Sequence, residues 1–337
     1  MKSYEKIEAD GFESQTKRYK RIEENNLKSF FVIEGSPLHV LQSIHSLGVP
    51  RDILSSEYEK TDDPEVKREL KDKRKIIDGN MSPLNEYGPS ELSVKNRKKD
   101  AKKNVESFLY MNDINQSDVR LLLPERDYET PLTVIDLDTV ALTPDDTGLL
   151  RPDVRGDMMY TYNPNIVMAA RPADCPVAYI TAETPKGTIY ILLHLATLGV
   201  ASGYIKDAKQ TMDNLQVDWE SVRIQLTAGG HAENYNYVDF TKFDPRVKYP
   251  ESHNLFVNVE ETVTKKGQPA WNFDVDVAAE AYEGICNEMP IEPYQVYLDT
   301  TDTTSPTAGY SSNTRAFKGF EVDGDNTRDI VMARLVR

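Results

Sequence analysis

Residues 166–203 read IVMAARPADCPVAYITAETPKGTIYILLHLATLGVASG, two apolar runs joined by a short turn around Pro185–Gly187. Each run has strand length and is apolar without alternation, the pattern of a strand covered on both faces. A helix is expected to start just after the second run. Cys175 ends the first run and His194 closes the second, so a thiol and an imidazole are expected to meet at one end of a sheet. The chain has 2 cysteines and 5 histidines in 337 residues, which gives that meeting weight.

Working outward, the N-terminal 28 residues are dense in charge and poor in apolar side chains, and are expected to form a charged helical or mobile extension. Ser29–Glu34 (SFFVIE) reads as the first strand, and Leu38, Leu41, Ile44 and Leu47 approximate helical spacing before Gly48-Val49-Pro50. Residues 57–75 are charged with i,i+4 pairs of opposite sign, and 76–90 are rich in turn residues. Residues 92–111 carry Val94, Ala101, Val105, Phe108 and Leu109 on one side of a helix. Strands are expected at RLLLPE (120–125), PLTVIDLDTVAL (131–142), VRIQLTAGG (222–230), NLFVNVEE (254–261), YQVYLDT (294–300) and IVMARLV (330–336), with PDDTGLLRPDVRGD (144–157) as a loop. Helices are expected over about 200–215 and 274–289, the second with Asp276 as N-cap, Cys286 on its apolar side and Pro290 beyond its end. The order implies one α+β domain over 29–337, a mixed β-sheet flanked by helices, with 36–75 as an insertion.

Composition narrows the function classes. A net charge of −15 disfavours nucleic acid and anionic membranes as partners, since phosphate binding needs a basic face. No apolar run approaches the ~18 residues of a membrane span. Two thiols in a long chain, with no apolar segment after the N-terminal charges, fit a cytoplasmic setting.

Segment RGDMMYTYNPNIVMAARPADCPVAYI (155–180) resembles the GDALVT..P.IALAVRTADC.PVLL segment of the YfiH-type laccase-domain family, regarded as purine nucleoside phosphorylases. The likeness continues in order. Gly79–Ser82 (GNMS) resembles that family's G-N-L/M-S turn, and Val94, Asn96 and Arg97 its V..NR helix start. LLLPERDYETPLTVID (121–136) stands at its L..QVHGT.VVVVD strand, ILLHLATLG (191–199) at AAAHAGWRG, and LTAGGHAENYNYV (226–238) at LGPAIGPCCYEV. Residues 274–302 and YSSNTRAF (310–317) resemble its closing helix, strand and FFSYRR segment.

That resemblance implies a YfiH-like fold and a zinc ion held by histidine, cysteine and histidine, with purine nucleoside and phosphate as small-molecule substrates and a monomer or homodimer as the working unit. Cys175 and His194 match two ligands and are the implied catalytic pair. The third position falls on Tyr128, flanked by Asp127 and Glu129, so either carboxylate, Glu129 foremost, or His231 is the candidate third ligand. Arg171, Arg315 and the helix start after Gly199 remain to hold an anion, Tyr235 to stack on a base, and Asn80 to bind substrate. Arg171 has a second reading as a structural salt-bridge partner, and Asp174 as a turn cap or a residue orienting a ligand. Thr197 and Leu198 replace the family's tryptophan and arginine, and Thr300, Thr301 and Asp302 stand where it has cysteine and threonine. An enzyme of purine nucleoside metabolism and a binding protein that keeps only the fold are therefore both compatible with the chain.

Overall fold

The computed structural model describes residues 19–25, 28–33, 38–42, 63–64, 101–102, 105–106, 108–110, 112–124, 131–172, 174–232, 236–241, 244–250, 255–263, 267–299, 303–304 and 330–335. Its centre is the hairpin of Val177–Thr184 with Gly187–His194, paired from Val177↔His194 to Thr184↔Gly187. Alternate residues of this hairpin go to different cores. Ala178, Ile180, Ala182, Ile189, Ile191 and Leu193 belong to one, while Val177, Tyr179, Tyr190 and Leu192 belong to the other. The unalternating sequence is thus the signature of a strand with no solvent face.

Around the hairpin runs a six-stranded sheet in the order Val296–Leu298, Asp218–Leu226, Val177–Thr184, Gly187–His194, Met158–Thr161, Val134–Asp136. Its outermost pairs are parallel and its inner pairs antiparallel, so it is mixed. An eight-stranded sheet runs Tyr19–Asn25, Lys28–Ile33, Leu38–Gln42, Val331–Leu335, Val167–Ala170, Val119–Leu121, Leu150–Pro152, Leu142–Pro144. A three-stranded sheet of Asn236–Thr241, Pro269–Val275 and Phe256–Val263 completes the set among the described residues.

Three cores separate four layers. Helices Tyr204–Asn214 and Val277–Glu288 pack on one face of the six-stranded sheet through Tyr204, Ile205, Ala208, Met212, Ala281 and Ile285. The other face meets the eight-stranded sheet through Leu38, Val40, Met168, Ala170, Val331 and Ala333. Beyond that sheet, Val105, Phe108 and Leu109 of the helical segment within 101–110 cover Leu41, Val119, Leu121 and Met332. The fold is α+β with mixed sheets flanked by helices, and among the described residues no helix is long and apolar enough to cross a membrane.

Several local expectations change. Leu38–Gln42 is a strand, not a helical turn, and lies between Lys28–Ile33 and the C-terminal strand. Its apolar residues face two cores, Leu38 and Val40 one way and Leu41 the other, a period of two that the i,i+3 spacing imitates. Tyr19–Asn25, expected within a helix or arm, is the edge strand of that sheet, paired antiparallel with Lys28–Ile33. The stretch 144–157 is not all loop: Leu142–Pro144 and Leu150–Pro152 form a hairpin. The run 166–180 is two strands in different sheets, because Pro172 and Pro176 lack the N–H that a ladder needs. The helix after His194 is broken in two, Thr197–Ala201 and Tyr204–Asn214, by Gly203 at φ 92°. Asp276 does cap Val277–Glu288, accepting from the Ala279 amide at 3.0 Å, and Cys286 packs against the core beneath it.

Arg171, at the crossing between sheets, reaches the hairpin loop: its guanidinium lies 2.6 Å from Asp145 Oδ2 and donates to Thr147 Oγ1 at 2.7 Å. Burial works to raise the Asp145 pKa, but Arg171 and the Thr147 hydrogen bonds outweigh it and hold the carboxyl below its usual value of 3.8. A depressed carboxyl pKa stabilises the fold above the unfolded value and loses that contribution as pH falls through the folded one. Arg171→Ala, which leaves Asp145 buried and unpaired, is expected to cost about 3–5 kcal/mol in urea unfolding at neutral pH. Below pH ~3 the difference between wild type and variant should narrow. Gly156 is the second test. A Cβ there would lie 2.7 Å from the Thr133 carbonyl oxygen, so Gly156→Ala is expected to lower stability by about 1–3 kcal/mol in the same assay.

Candidate active site

The register of the central strands builds the site. Leu193 pairs with Met158 and Leu192 with Met159, and the next step brings His194 opposite Asp157, where the His194 amide donates to the Asp157 carbonyl at 2.7 Å. On the other side His194 pairs with Val177. Cys175 lies two residues ahead of Val177, in the crossing segment rather than at a strand end, and the chain there is pinned by the Leu195 amide donating to the Pro176 carbonyl at 3.0 Å. Val177 and Leu192 face the core between the sheets, so alternation aims His194 toward that same inter-sheet side.

His194 is 7 % exposed and Asp157 0 %. His194 Nδ1 lies 2.7 Å from Asp157 Oδ1. The ring also hydrogen-bonds the Cys175 side chain, so a thiol, an imidazole and a carboxylate form one chain of contacts. Burial alone lowers the imidazole pKa, but the hydrogen bonds from Asp157 and Cys175 carry it up to about 10. Cys175 is a free, half-buried cysteine. The thiol and imidazole meet, and the carboxylate on the far side of the ring, Asp157, is the candidate-site residue that sequence reading passed over. Its signal was present in the Gly156-Asp157 pair, aligned with the GD of GDALVT, but nothing in the sequence says that this aspartate is buried against a histidine.

Other polar groups line the same end of the six-stranded sheet. The Asp174 carbonyl accepts from the Gly230 amide at 2.8 Å, and its carboxylate accepts from Thr303 Oγ1 at 3.3 Å. The Thr303 amide donates to the Gly229 carbonyl at 3.0 Å. Asp174 therefore ties three loops together at the rim of the site. His231 is buried, with Nδ1 3.6 Å from Asp276 Oδ1, the carboxylate that caps helix Val277–Glu288.

Among the described residues no group of three or more His, Cys, Asp or Glu side chains is gathered as metal ligands. His231 turns its Nδ1 toward Asp276. Glu129, with Asp127 and Tyr128, lies outside the described residues, as do Asn80, Tyr235, Arg315, Thr300, Thr301 and Asp302. Arg171 is engaged with Asp145 and Thr147, which is its salt-bridge reading rather than an anion clamp. The turn after His194 also differs from expectation. Helix Thr197–Ala201 spans 5 residues, and the Val200 and Ser202 amides donate to Ala196 and Leu198 carbonyls instead of facing outward.

No protein-family model matches the sequence, and no curated protein matches it significantly. The fold, however, is shared with solved structures. It is similar to Bacillus licheniformis hypothetical protein YfiH at TM-score 0.59 and 12% identity, over 94% of this chain and 99% of that one. YlmD from Geobacillus stearothermophilus matches at TM-score 0.58 and 12% identity, over 95% and 99%. A Neisseria meningitidis protein of family model DUF152 matches at TM-score 0.53 and 14% identity, over 95% and 100%. At these identities the likeness speaks for the fold alone, and with each of these proteins covered almost end to end, this chain is built on the YfiH-type fold.

Proposed function

We propose that the chain is a divergent enzyme of the purine nucleoside phosphorylase or deaminase type, with its chemistry centred on Cys175 and His194 and a zinc ion as cofactor. The observation that carries the reading is the buried line Asp157–His194–Cys175 at the end of the central hairpin. Burying a carboxylate costs free energy unless a partner compensates, and here the compensating partner is an imidazole that also touches a thiol.

The donor set suits zinc as far as it goes. Thiolate and imidazole are its ordinary ligands, and a ligating histidine ordinarily gives its other ring nitrogen to a carboxylate, as His194 does to Asp157. Cys175 Sγ and His194 Nε2 would hold the ion. The described chain stops at Pro124 and resumes at Pro131, and its two flanks bracket Asp157: Leu123 O accepts from the Gly156 amide at 3.0 Å and Thr133 O from the Met158 amide at 3.4 Å. Glu129 and His231 are the candidates for a third ligand. Zinc, when bound, lowers the pKa of a coordinated water or polarises a substrate oxygen. The chain's own residues orient that chemistry: Asp157 fixes the imidazole, the pinned turn at Pro176 fixes the thiol, and the Asp174–Thr303 contact closes the rim.

A second reading, the fold kept as a binding protein, is favoured by one observation, that only two of the donors come together among the described residues.

The two readings separate on protein purified without a histidine tag. The enzyme reading expects about one zinc per chain by elemental analysis, and loss of that zinc in both Cys175→Ala and His194→Ala. It also expects release of free base from a purine nucleoside with inorganic phosphate, or of ammonia without it, falling on the order of 100-fold or more in either variant. No zinc, together with neither product, overturns it and leaves the binding reading.

A further inference from the structure

Building on the Cys175–His194 reading above, we propose that Asp157 is the positioning residue of the site, holding the His194 ring by Nδ1 so that Nε2 is presented beside the Cys175 thiol. Asp157 grips His194 twice. Its side-chain Oδ1 lies 2.7 Å from Nδ1, and its main-chain carbonyl accepts the His194 amide at 2.7 Å. The ring and the backbone that carries it are fixed by one residue.

Asp157 is itself immobilised by its neighbours. The Gly156 amide donates to Leu123 O at 3.0 Å and the Met158 amide to Thr133 O at 3.4 Å, so the backbone is tied on both sides. Any Cβ at Gly156 would meet Thr133 O at 2.7 Å, and only glycine allows this close approach. The carboxylate therefore has one place to go, against the ring.

Stability alone is a poor reason for an aspartate here. It is fully buried, and Oδ2 has no hydrogen-bond partner among the described residues. A buried ion pair replaced by packed apolar groups is often neutral or stabilising. What the carboxylate supplies that an apolar side chain cannot is a fixed ring: Nδ1 keeps the proton that Asp157 accepts, so Nε2 is the nitrogen that a metal takes by displacing its proton. Cys175 is braced from two sides, the Pro176 carbonyl by the Leu195 amide next to His194 and the Asp174 carbonyl by the Gly230 amide, so the thiol is held beside the ring.

The test compares wild type, Asp157→Ala and Asp157→Asn, all checked for native fold by near-UV circular dichroism. In protein labelled with 15N, wild type is expected to show one histidine Nδ1–H proton far downfield and slow to exchange, absent in His194→Gln. It should vanish in Asp157→Ala. In Asp157→Asn it should shift or vanish, because the amide NH2 can donate to Nδ1 and move the proton to Nε2. Competition with a chromophoric chelator, using zinc alone as probe, is expected to give about 10–100-fold weaker binding in both variants. A ring signal and a zinc affinity unchanged in the variants overturn the proposal. If wild type takes up no zinc, the cofactor reading above fails by itself, and the ring signal still decides the role of Asp157: its unshifted survival in Asp157→Asn, or its absence from wild type, overturns that role. Should Asp157→Ala not fold, the asparagine variant alone decides between these outcomes.

Discussion

The structure depends on one constraint: the hairpin from Val177 to His194 has no face turned to water. Each of its strands alternates between two cores, with helices beyond one and a second sheet beyond the other. Apolar burial at roughly 25 cal/mol per Å² drives this stacking, and a layer buried on both sides disfavours charged side chains along its length. Among the described residues the buried carboxylates and imidazoles, Asp157, Asp174, His194, His231 and Asp299, lie at strand ends or between strands. Cys175 and Thr227 lie beside them, next to the ends of the central strands.

The same exclusion sets the electrostatics of the site. A carboxylate and an imidazole deep between sheets are poorly solvated, so each takes its environment from the other. His194 holds its proton far above the ordinary histidine range for this reason, against the opposing effect of burial. Arg171 and Asp145 repeat the arrangement elsewhere, in a pair that secures the crossing between the two sheets to the hairpin Leu142–Pro152. One buried pair braces the architecture. The other sets a thiol beside the imidazole.

Much of this was legible in the residues. The unbroken apolar runs of 177–182 and 189–193 specify strands covered on both faces, and the Pro185-Lys186 turn specifies their pairing. Asp276 announces a helix start, and the chain's one ADC tripeptide with the one HLATLG segment pointed to the right cysteine and histidine. The misreadings have physical causes. Leu38 and Leu41 fit a helix by spacing, and only the arrival of strand Val331–Leu335, about 290 residues away in sequence, makes them part of a sheet. The charged segment Tyr19–Asn25 has no strand-like composition, and its strand form comes from the partner beside it.

By itself, then, the sequence determined the elements whose burial is encoded locally: the central strands, the amphipathic helices, their caps and turns, and the α+β class. It also put Cys175 and His194 within reach of each other, since a hairpin register follows from turn length. Tertiary structure decided what depends on distant pairing. It divided the strands between two stacked sheets, set Arg171 against Asp145, turned His231 to Asp276, and brought Asp157 beneath His194. A hydrophobic pattern records which side of a residue is buried but not which partner waits there. That partner is fixed only when strands far apart in the chain come into register.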